Sequence, residues 1–327
     1  MPIRLPAVLA IALLTLACSW QTGLQSDAPA MTRRDATTPG PARFRSMPEK
    51  IDAVLDRRLA EIASRALGRV GIGAVLVETG DAAWLGRGER FATQSVYKLP
   101  IAMAALTLVD GGGVRIDQEI LITPKDHVRR GFHSPIRNLY AEDVLLPLGE
   151  IVRYSISESD GTANDVLLDL AGGPEKVQQY LANIGVQDFI VADSTKSISK
   201  DWETQFRNWA TPQASIDLLR ALYERRAGLG EQTTMLLLGA MTDSSVGSRR
   251  LRRGLPRGAT LAHKTGTGGE KDGVTSATND VGIVTLPDGR HILIAVYIEN
   301  STADAWTRNQ VMSEIARTVC ERWYGKD

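Results

Sequence analysis

Apolar positions along the chain fall into blocks of different period. Ile51, Leu55, Leu59, Ile62 and Ala66 recur every three or four residues, the spacing of one buried helix face. Ser46-Met47-Pro48-Glu49 reads as a capping box with an early proline ahead of that helix, and Gly68 as its stop. Residues 70–77 form an apolar run of strand length, and Thr79-Gly80-Asp81 turns the chain into a second strand over residues 83–85. The far end mirrors this. Residues 281–286 and 291–298 read as strands joined at Pro287-Asp288-Gly289, and a helix over 305–323 buries Val311, Ile315, Val319 and Trp323.

Helical patterns dominate between these ends. They include residues 95–108, the segment after Ala163, and 212–223, where Thr211 stands as a cap before Pro212. Strands and helices at both ends with helices between predict an α+β fold. One sheet is built from residues 48–92 and 258–327, and a helical domain over 93–257 is inserted into it.

The start of the chain follows a different logic. Arg4 precedes a run from 7 to 17 that only Thr15 interrupts, about half of the roughly 20 residues needed to span a bilayer. A charged start, a short apolar stretch and a small residue at its end predict a secretory signal over 1–17. Leu14-Thr15-Leu16-Ala17-Cys18 loosely resembles a lipoprotein cleavage box, although Leu16 is bulky for it, so both cleavage and a Cys18 lipid anchor are expectations. Residues 18–47, rich in Thr, Pro, Ala and Arg, read as a polar tether. Cys320 then has no partner and reads as a packed thiol, consistent with a bacterial periplasm.

Composition narrows the chemistry. The chain has 327 residues, 43% apolar, with 38 basic against 38 acidic side chains. A zero formal charge removes the electrostatic case for nucleic-acid binding, and the apolar content argues against disorder. Two cysteines and four histidines, with no metal-ligand spacing, predict neither a disulfide framework nor a metal or other cofactor.

Three short motifs carry candidate chemistry. Ser95-Val96-Tyr97-Lys98 opens an apolar helix, so Ser95 and Lys98 share one face at i and i+3. A lysine buried there could take the serine proton, while N-terminal backbone N–H groups favour a developing oxyanion. A capped helix with a surface lysine has the same pattern. Ser159-Asp160-Gly161 is the second motif, and an ordinary helix-start cluster would read alike. The third is His263-Lys264-Thr265-Gly266-Thr267-Gly268, which offers a fixed cation, hydroxyls and close backbone approach. Gly258 to Thr265 also has P-loop spacing, but His263 replaces the second glycine.

The order of Ser-x-x-Lys, Ser-Asp-x and Lys-Thr-Gly over residues 48–327 resembles the class A serine β-lactamases and their penicillin-binding relatives. The likeness extends to residues 249–256 before Lys264 and 279–283 after it. It implies the two-domain β-lactamase/transpeptidase-like fold, with an antiparallel sheet and an Ω-like loop at about 191–211. It implies that Ser95 opens the β-lactam ring, that Lys98 activates it, and that Ser159 relays a proton to the lactam nitrogen. Lys264, Thr265, Gly266 and Thr267 would hold the substrate, with the oxyanion on the N–H groups of Ser95 and Thr267. Phe132-His133-Ser134-Pro135 resembles the loop that carries an aromatic at the cleft rim.

Two departures stand out. Gly161 occupies a position where the family carries Asn. The family also releases its acyl group with a Glu on the Ω-like loop. Here the matching stretch reads Asp193-Ser194-Thr195-Lys196-Ser197, and Glu203 is one residue too far from Asn208. Glu203 is a candidate base, Asp193 a second, and the absence of such a base a third expectation. The functions implied are an exported, periplasmic, monomeric β-lactamase, or a β-lactam-binding protein that acylates and deacylates slowly. A cell-wall peptidase or esterase is a further reading.

Overall fold

A computed structural model describes residues 48–325. The expected signal, the tether with Cys18, and Ser46 and Met47 of the expected capping box lie outside the described residues.

The main sheet runs Lys50–Ile51, Asp81–Leu85, Arg69–Leu76, His291–Ser301, Val274–Thr285, so strands from both ends meet at its centre. Ile72 pairs with Val296, and Val281 with Ala295. On its far side Val274–Thr285 pairs with Thr260–Thr267 and with Glu270–Lys271. Residues 260–267 are therefore an edge strand, and not the loop and helix that a phosphate-binding turn requires.

Both faces of the sheet are covered, which is why its strands read as unbroken apolar runs. Ile292, Ile294, Val296 and Ile298 face the helices Ala53–Ser64 and Ala305–Trp323, packing with Leu55, Leu59, Ile62, Val311, Ile315 and Val319. Leu293, Ala295 and Tyr297 point the other way, toward Leu99, Met103, Ile216 and Leu219 of the helices Lys98–Asp110 and Pro212–Tyr223. Each buried Leu, Ile, Val or Met side chain among them contributes about 1.5–3 kcal/mol by leaving water. Cys320 is buried and free, and burial pushes its thiol up to about 12.

The first helix begins later than its capping box predicts. Asp52 caps it by accepting from Leu55 N at 3.1 Å. Lys50 and Ile51 instead pair in parallel with Asp81 and Ala82, and Glu49 forms an ion pair with Arg87. A tertiary strand pairing thus takes the residues that a local signal assigns to a helix start.

Candidate active site

The turn that carries Ser95 is fastened to the sheet. Gln94–Tyr97 is a 3-10 turn running directly into the helix Lys98–Asp110. The Lys98 backbone N–H bonds back to the Ser95 carbonyl, the i to i+3 closure of such a turn, and both residues line the same cleft. Asn279, on the central hairpin, donates through Nδ2 to the carbonyls of Ala92 and Thr93 at 2.7 and 3.0 Å. Gly266 lies so close beneath that a Cβ there would stand 2.4 Å from the Thr93 carbonyl oxygen. Gln94 holds a left-handed φ of 46°, a conformation that costs of order 1–3 kcal/mol. Its side chain donates to Gln205 Oε1 at 2.9 Å, and Ser276 Oγ donates to the same oxygen at 2.8 Å.

Two buried lysines meet at Ser159. Lys98, 2% exposed, donates to the Ser159 carbonyl at 2.5 Å. Lys264, 1% exposed, donates to the Ser159 hydroxyl at 2.9 Å. Burial lowers Lys98 to about 8, against the pull of Asp160 and Asp165. Burial also carries Lys264 well below the ordinary lysine range, helped by the charges of Lys98 and Arg250 and opposed by Asp280. Ser159 sits at a left-handed φ of 57°, and Asp160 behind it caps the helix Gly161–Leu170 through Ala163 N. Asp160 also accepts from Ser134 Oγ and Ile136 N, which ties the residues 132–136 loop to this wall.

The edge strand supplies the opposite wall. Bonded and unbonded pairs alternate along an antiparallel ladder. Gly268 N–H bonds to Ala277 O, so the N–H of Thr267 turns away from its partner strand. Arg250 backs this strand from behind, donating to Gly266 O, Asn279 O and Thr267 Oγ1. Of the basic run 249–253, Arg250 alone reaches this strand end. Arg249 and Arg253 are exposed, and Arg252 bonds to the carbonyls of Thr242, Ser244 and Leu261.

These walls enclose a cleft of about 640 Å³ onto which Ser95, Lys98, Ser159, Thr265 and Thr267 all open. Lys264 and Gly266 lie buried just behind it. Thr195 lines the cleft from the loop side. Its hydroxyl shares a 2.8 Å hydrogen bond with Tyr97 OH and accepts from Asn164 Nδ2 at 3.2 Å. A Cβ on Gly161 would lie 2.9 Å from Thr195 Cγ2 and 3.2 Å from His133 O, so the loop occupies the space a larger residue would need. Glu203 is not brought to the cleft. It is exposed, at the start of the short turn Thr204–Phe206. Asp193 is paired with Arg207 at 3.2 Å, outside the lining as well. The one carboxylate among the described lining residues is Asp201.

A family model described as the beta-lactamase enzyme family matches residues 54–323. Beta-lactamase VEB-1 of Pseudomonas aeruginosa is 34% identical over 259 residues, 79% of this chain and 86% of that protein. Extended-spectrum beta-lactamase PER-1 of the same organism is 35% identical over 232 residues, covering 71% of this chain and 75% of that protein. This chain belongs to the class A β-lactamases. The fold agrees, since the crystal structure of a beta-lactamase from Chitinophaga pinensis superposes with a TM-score of 0.80 at 37% identity, over 82% of this chain and 99% of that one.

For this β-lactamase, sequence reasoning named Ser95, Lys98, Ser159 and the 264–267 strand, and missed the residues that hold them. Tyr97, Thr195, Asn164, Gln94 and Gln205 make their contacts across the fold, between residues far apart in sequence. The one local signal was available at Gln94. A polar residue left buried immediately before the nucleophile demands a partner.

Proposed function

We infer that the protein hydrolyses β-lactams through an acyl-enzyme on Ser95, with family membership and the Ser95–Lys98–Ser159–Lys264 cluster as its support. The carrying observation is that two buried lysines converge on Ser159, Lys98 at its carbonyl and Lys264 at its hydroxyl, in the cleft onto which the nucleophile opens. With Lys98 near 8, about one molecule in ten carries the neutral amine at pH 7, against well under one in a thousand for an ordinary lysine. That amine takes the Ser95 proton as the oxygen attacks the lactam carbonyl. The oxyanion meets the N–H groups of Ser95 and Thr267. Lys264 holds the Ser159 oxygen as acceptor, which frees the Ser159 proton for the departing lactam nitrogen. Thr265 and Thr267, with Lys264 and Arg250 behind them, suit a substrate carboxylate.

The apolar segment after Arg4 supports export to the periplasm, with a Cys18 lipid anchor as one route of retention, and the protein acts as a monomer without a cofactor. Intact-protein mass after mixing with a penicillin, alongside hydrolysis of a chromogenic cephalosporin, tests the reaction. Turnover is expected, and Ser95→Ala removes both the adduct and the turnover. A persistent adduct without product would replace hydrolysis by trapping, and no adduct with no turnover would remove both.

A further inference from the structure

We propose that Lys98 also serves as the base of the second half-reaction, taking a proton from the water that releases the acyl group from Ser95. This rests on the hydrolytic reading above. Hydrolysis of an ester at neutral pH needs a group that accepts the water proton within reach of the carbonyl. The cleft offers few. Thr195 and Tyr97 bond to each other, and burial pushes the Tyr97 phenol far above its ordinary value, so this pair stays protonated. The Ser159 hydroxyl is held by Lys264. Asp201 is exposed and engaged by Thr204 N and Oγ1, which lower its affinity for a proton. His133 is exposed at the rim, with its Nε2 bonded to Glu158 O. Of the residues that line the cleft with Ser95, Lys98 alone is a buried amine able to shed its proton, since Lys264 lies behind the lining and is taken up by Ser159.

The surroundings of Lys98 keep it in this role. Asp160, which caps the helix Gly161–Leu170, and Asp165 within it hold part of its proton affinity. Both carboxylates are already committed, Asp160 to Ser134, Ile136 N and Ala163 N, and Asp165 to Thr195 N and Lys196 N. The charge of Lys98 in turn lowers Lys264 on the edge strand. Ser159 gives its proton to the lactam nitrogen and regains one from Lys98, which leaves Lys98 again a neutral amine. Water then gives a proton to Nζ as its oxygen bonds to the acyl carbon. The tetrahedral oxyanion sits on the same two N–H groups. Collapse breaks the bond from that carbon to Ser95 Oγ, and Oγ takes the proton back from Lys98. The product is a free carboxylic acid, with serine and amine restored.

The test isolates the second step. The protein is acylated with a penicillin, mixed into buffers from pH 5.5 to 10, quenched in acid at intervals, and its adduct followed by intact mass. The expected rate of adduct loss rises about tenfold per pH unit below about 8 and levels off above it. Three results overturn the proposal: a flat profile, a midpoint below pH 6, or a rate that climbs without a break past pH 9 as attack by free hydroxide would. Lys98→Ala, acylated at high penicillin concentration, keeps its adduct at least a hundredfold longer. Clearance at the wild-type rate would also overturn it, and if this variant does not acylate, the wild-type profile decides. Failure of any adduct to form at any time sinks the hydrolytic reading itself, which is a different outcome.

Discussion

Gly161 and Thr195 depend on each other. The 2.9 Å gap from a would-be Cβ to Thr195 Cγ2 leaves room for hydrogen alone. Gly161→Ala should therefore destabilise by about 1–3 kcal/mol through overpacking. Thr195→Ser removes the obstructing methyl and keeps the hydroxyl, so the double variant should recover part of the loss. Denaturant unfolding of the four proteins in the cycle reads the coupling, and strict additivity would show the contact to be unimportant. Gly161 and Thr195, one from each of the two stretches that depart from the family pattern, are thus in one packing arrangement. Glu203 belongs to neither. Glu203→Gln should leave kcat/KM within about twofold, since its exposed side chain stands off the cleft. A tenfold fall in steady-state hydrolysis would return it to the reaction.

At the scale of elements, local signals were legible and paired ones were not. The helix Pro212–Tyr223 starts where its proline and the Thr211 cap place it, and the helix Ala305–Trp323 runs over its apolar period, because both are written in contiguous residues. The start of the first helix was misplaced because Lys50 and Ile51 answer to a strand 30 residues on. The nucleophile turn shows the same division. Its serine and lysine are visible as a motif, while its anchorage by Asn279 is not. Asn279→Ala leaves the Ala92 carbonyl without that donor in a buried setting, a loss of about 1–3 kcal/mol. We expect a lower Tm together with a lower kcat, because the turn that aims Ser95 loosens. An unchanged kcat with a lower Tm would mean that Gly266 and Gln205 suffice to hold it.

At the scale of the whole molecule, a partly buried carboxyl opposes stability at neutral pH. Asp217 lies on the helix Pro212–Tyr223, and burial raises it to about 6, with Glu49 adding to the rise and Gln213, Arg220 and Arg87 resisting it. The folded state therefore keeps that proton to a higher pH than the unfolded chain. Its contribution is full below about pH 4 and is lost as pH rises through about 6, on the order of 1–3 kcal/mol in all. Asp217→Asn should raise Tm at pH 7 and leave it little changed at pH 4, and an equal shift at both values would refute the assignment. The sheet order has a consequence for time rather than energy. The strand Arg69–Leu76 finds its partner in His291–Ser301, near the opposite end of the chain, so the sheet is a long-range closure of the kind that folds slowly. Asn279 and Gly266, which clasp the nucleophile turn, belong to that late-made half. During synthesis Ser95 precedes its own clasp by most of the chain, and its hydroxyl stays unarmed until the last hairpin has joined.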